Sequence, residues 1–119
     1  MYTEKVHDDN KIYNALLPKT FNANVLKCKG HVEEAILKSQ FLIVLGGDRV
    51  VCTGSILAHS KIDKDCCIIY VGKKPNLHTV LSKSTGNMND MSLFLLISEM
   101  QIEIPWLKEF ENITPKLDK

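Results

Sequence analysis

The stretch FLIVLGGDRVVCTGS, Phe41 to Ser55, decides how this chain is read. Phe41 to Leu45 is a continuous apolar run closed by Gly46-Gly47. That is the pattern of a strand buried on both faces of a parallel sheet. Asp48 follows at once, in the N-cap position of a helix. The helix is expected to run to about Ser60, with Val51, Ser55, Ile56 and Ala58 or His59 winding along it. A second stretch, CCIIYVGKKPNLH, spans Cys66 to His78, and its first part, Cys66 to Val71, reads as another buried strand. Strand, helix and strand form one βαβ unit with a right-handed crossover. The fold class is therefore α/β, with a short parallel sheet whose strands lie near 41–45 and 66–71.

Downstream, Gly72 to Asp90 is polar and contains Gly, Pro, Ser and Asn, including STGNMN at Ser84 to Asn89. It reads as a long loop. Loops of more than about 12–15 residues in compact domains are mostly functional or disordered. This one follows the C-terminal end of a strand, where α/β proteins bind ligands. Met91 to Met100 reads as a dense, largely buried helix carrying Leu93, Phe94, Leu96, Ile97 and Met100. Pro105 is expected to stop it, Trp106, Leu107 and Phe110 to pack back on the core, and residues 114–119 to fray.

Upstream, residues 1–20 show no period and read as an irregular lead-in. From Asn22 to about Lys38, Val25, Cys28, Val32, Ala35 and Ile36 recur at helical steps and share one face. Asn22 or Asn24 is the expected cap. Gly30 costs this helix roughly 1 kcal/mol against Ala, so a break is expected there if anywhere.

The 119 residues suit one compact domain, 1–119, with a modest core. Hydrophobic residues make up 45% and charged residues 24%, which is the balance of a folded globular chain. The net charge of +1 gives no case for nucleic acid or an acidic membrane. No apolar run approaches the ~20 residues that span a bilayer. The opening MYTEKVHDDNK has acids and no apolar core, unlike a secretory or mitochondrial leader, so a cytoplasmic protein is expected. The four cysteines, Cys28, Cys52, Cys66 and Cys67, show no CxxC spacing. They read as small buried hydrophobes in a reducing compartment rather than as zinc ligands or a disulfide framework. His7, His31, His59 and His78 are scattered without ligand spacing. Ser55 and Ser84 have no evident His or Asp partner for nucleophilic chemistry.

In order, these pieces resemble an arginase of the animal type, in the ureohydrolase superfamily. Asp9 to Tyr13 and Pro18 to Asn24 resemble the lead-in to that family's active region. Phe41 to Asp48 resembles its strand and GGDH motif. Ile69 to His78 lies where the family has WVDAHxDxN, and Thr85 to Asn89 where it has SGNxH. Phe94-Leu95-Leu96 and Ile104-Pro105 continue the match, which covers roughly residues 6–110. The resemblance implies a three-layer α/β/α fold with two manganese ions at the C-terminal ends of the strands. There they activate a water that hydrolyses arginine to ornithine and urea. It also implies a truncated form, without the family's glycine-rich first unit and ending before a later segment that supplies further aspartate ligands.

At the matched positions the chemistry departs from the family. The metal-ligand positions are Arg49, Gly72, Lys74 and Asn76, where the family has His, Asp, His and Asp. Hard divalent ions need carboxylate or imidazole donors, and two cations in their place oppose binding. Without metal there is no route to hydroxide at neutral pH. The substrate-binding positions are better kept: Thr85, Gly86 and Asn87 stand for SGN, and His78 for the asparagine of DxN. The histidine after SGN, a proton-transfer position, is Asn89.

The expected function is that of a catalytically inactive arginase-like protein, with no cofactor, that acts by binding. Its expected partner is a full-length arginase subunit or another copy of itself. A divergent ureohydrolase that still cleaves a guanidino compound is one alternative. Another is a small anion- or carboxylate-binding module built on Arg49, Lys73 and Lys74 at a helix N-terminus. The blander readings are a relaxed former site whose cations reach solvent, and a relic with open sheet edges that is poorly soluble or oligomeric alone.

Overall fold

A computed structural model describes residues 17–38, 41–73, 77–79 and 86–97. Within them lie two α-helices, α1 (Pro18–Lys38) and α2 (Val50–Ile62), and two 3₁₀ turns at Met88–Met91 and Phe94–Leu96.

The first helix begins four residues before its expected start. Pro18 occupies its first turn, where a missing N–H costs nothing and a fixed φ favours the helix. Asn22 and Asn24 consequently sit inside the helix and are buried, so neither caps it. The Asn24 carboxamide turns back to donate to the Thr20 carbonyl at 2.8 Å. Leu17 enters this start with φ 50°, a left-handed conformation. Gly30 does not break the helix. The expected face is the observed one: Val25, Cys28 and Val32 are buried and Ala35 and Ile36 half-buried.

The second helix is apolar nearly all round, and its packing chooses a different stripe from the one expected. Val50, Thr53, Gly54, Leu57 and Ala58 turn inward at steps of three and four. Val51, Ser55 and Ile56 are only half-buried, with Val51 and Ile56 at the edges of the core while also lining the outer side, and His59 is exposed. The inward stripe meets α1 closely at Gly54. A β-carbon there would lie 2.7 Å from the Cys28 Cβ and 3.0 Å from the Val25 carbonyl oxygen, so only glycine lets the helices approach this far. Burial pushes the Cys28 thiol pKa up, and the Asp48 carboxylate adds to the effect. The helix ends are tied at the surface, where Lys61 of α2 reaches Glu33 of α1 at 3.1 Å. Burial pushes the Glu33 carboxyl up, but Lys61 and Lys29 outweigh it and leave it below its ordinary value.

The main core lies between the two helices and the 88–96 segment. Phe21, Val25 and Leu57 meet Met91, Phe94 and Leu95 there. Burial of Met91, Phe94 and Leu96 agrees with expectation, but a continuous α-helix from Met91 does not form within residues 91–97. Two short 3₁₀ turns replace it. The Asn87 side chain accepts from the Asn89 N–H at 3.0 Å, which holds the first turn tight. The Thr53 hydroxyl of α2 lies 3.4 Å from the Ser92 carbonyl, in the break between the turns.

The extended segments differ most from expectation. Neither 41–46 nor 66–71 forms a paired strand among the described residues. Burial on both faces fails as well. Leu42 packs against the Cys28 side of the core, but Phe41, Leu45, Ile69 and Val71 are 81%, 89%, 87% and 91% exposed. A continuous apolar run reads the same whether or not neighbouring strands cover it, and here α2 covers one side only. Cys28 is buried as expected, Cys52 and Cys66 are half-buried, and Cys67 is exposed because it falls on the outward side of its segment. Expectations for residues 1–16 and 98–119, the Pro105 stop and the Trp106, Leu107 and Phe110 packing among them, fall outside the described residues.

Candidate functional site

The turn after the first extended segment brings the backbone hard against α2. A β-carbon at Gly46 would lie 2.2 Å from the Val51 Cγ2 atom, so glycine is a steric requirement at 46, whereas nothing lies within 4 Å of an added β-carbon at Gly47. Asp48 follows, and its carboxylate accepts from the Val50 N–H at 3.0 Å. The N-cap itself is Arg49, one residue later than expected, and it makes no side-chain cap. Asp48 thus satisfies a first-turn N–H from outside the helix.

Arg49 projects from this start toward the 86–90 segment. Its guanidinium lies 3.2 Å from the Asp90 carboxylate and donates at 3.5 Å to the Asn89 carbonyl. Gly86, with φ 78°, supplies the left-handed bend that leads into the 3₁₀ turn. The His78 N–H donates to the Asp90 carbonyl at 3.3 Å and draws the 77–79 segment to the same place. The structure therefore gathers Arg49, His78, Gly86, Asn87, Asn89 and Asp90, which are separated by up to 41 residues in sequence. A cavity of about 230 Å³ opens beside them, lined by Asp48, Asn24, Asn87 and Asn89 on its polar side. The Asn89 Oδ1 atom is buried without a hydrogen-bond partner.

Other predicted residues lie elsewhere. Gly72 is exposed at a bend, and a β-carbon there would lie 2.9 Å from the Tyr70 ring. Lys73 is exposed beside it. Lys74, Asn76 and Thr85 fall outside the described residues. Sequence reasoning missed Asp90 as the partner of Arg49. The available signal was a basic residue at a helix start facing a loop that ends in a carboxylate.

A larger cleft of about 570 Å³ lies on the outer side of α2, between that helix and the extended segments. Ser55 and His59 both line it. The His59 Nδ1–H donates to the Ser55 backbone carbonyl at 2.9 Å, and the Ser55 hydroxyl is buried without a partner. The ring thus engages the backbone and leaves the hydroxyl unactivated. Among the described residues, no three His, Cys, Asp or Glu side chains converge in a way that holds a metal ion. None of the described helices is long and apolar enough to cross a membrane.

No family model matches the chain. Individual proteins do. The hepatic arginase of Aquarana catesbeiana is 27% identical over 109 residues, covering 92% of this chain and 34% of the frog enzyme. Arginase, non-hepatic 2 of Xenopus laevis is 30% identical over 124 aligned residues, covering 100% of this chain and 33% of its own length. Arginase-1 of Mus musculus is 31% identical over 86 residues, covering 72% of this chain and 27% of the mouse protein. The chain spans about a third of the length of the curated relatives it matches. Along nearly all of its residues, with its GGD turn and its Gly86-Asn87 turn brought together in space, this chain is arginase-like.

Proposed function

We propose that this chain is a catalytically inactive arginase-like protein that works by binding. One observation carries the reading. At a position the resemblance assigns to a metal-binding histidine stands Arg49, and its guanidinium is paired with the Asp90 carboxylate. A fixed cation there repels a divalent ion, and the ion pair engages the Asp90 carboxylate that would otherwise offset it. Gly72 offers no side-chain donor, and Asn89 replaces an imidazole with an amide that does not titrate at ordinary pH. The residues present do not fit a dinuclear manganese centre, so no hydrolytic step is derived through one.

The same pair weighs against a free anion site on Arg49, Lys73 and Lys74. The guanidinium has a carboxylate already, and Asp48 adds negative charge at the helix start. The short parallel sheet of a partial three-layer fold, a cytoplasmic location, and a full-length arginase subunit or a second copy as partner belong to this reading as proposals. They rest on the arginase-like sequence and on the apolar segments at 41–46 and 66–71.

The test is direct. The purified chain, incubated with manganese and arginine, is expected to release no urea above a protein-free blank and to retain no stoichiometric metal after desalting. Manganese near one or two ions per chain, together with ornithine formation, overturns the reading and restores a divergent ureohydrolase.

A further inference from the structure

We draw no further inference here: the strongest candidate, the cleft of about 570 Å³ between the outer side of α2 and the extended segments, where Ser55 and His59 stand among Val44, Val51, Ile56 and Ile68, carries nothing because nothing in the structure shows what covers or fills it.

Discussion

The two sides of α2 make an instructive pair. Both are apolar in sequence. The inner side, with Val50, Leu57 and Ala58, is closed by α1 and the 88–96 turns, and its helix–helix approach is set by Gly54. The outer side, with Val51 and Ile56, faces a cleft of about 570 Å³ and two extended segments whose far faces lie in solvent. The difference teaches that apolar character states a need for burial but not what supplies it. The inner need is met within the described chain. The outer need is met only in part among the described residues.

Mutations on the two sides should therefore diverge. The largest effect is expected at Phe94, fully buried among α1, α2 and the turns. Phe94→Ala should cost about 3–5 kcal/mol in urea denaturation. Leu45→Ala, measured in dilute protein, should cost less than about 0.5 kcal/mol because the side chain is solvated already. Equal costs at the two sites would erase the contrast between the sides.

A smaller effect separates two glycines. Gly54→Ala drives a methyl into Cys28 and the Val25 carbonyl, and a loss of about 1–3 kcal/mol is expected. At Gly30 nothing lies within 4 Å of an added β-carbon, so Gly30→Ala should gain up to about 1 kcal/mol from helix propensity alone. Thermal melts of the two variants should move in opposite directions. A stabilised Gly54→Ala protein would show that the helices do not cross there.

The smallest effect concerns the site. Arg49 and Asp90 are each about a third exposed, so solvent screens their attraction. A double-mutant cycle with Arg49→Met and Asp90→Asn should give a coupling of about 0.2–1 kcal/mol, reduced further by salt. No measurable coupling at low ionic strength would separate the two residues and remove the observation on which the functional reading stands.

Much of this was legible beforehand. The periodicity of Val25, Cys28 and Val32 placed α1 and its face, because neighbours at three- and four-residue steps need no knowledge of the rest of the chain. Asp48 signalled the start of α2 for a similar local reason, and the motif order signalled an arginase-like chain. The inner stripe of α2 was not legible. With apolar residues all round the helix, the choice of face depends on which partner arrives, and the partner residues at Met91 to Leu96 lie more than thirty positions away. The two 3₁₀ turns were hidden likewise, since Leu and Phe at these positions suit an α-helix equally well.

The sequence by itself determined the two helices, the burial of Phe94 and Leu96, and the apolar character of 41–45 and 66–71. These are local properties of composition and spacing. Only the tertiary structure decided that Arg49 meets Asp90, that Gly54 is the helix crossing point, and that Phe41, Leu45, Ile69 and Val71 are exposed. Those outcomes depend on distances between residues far apart along the chain, and packing sets such distances after each local preference has been satisfied.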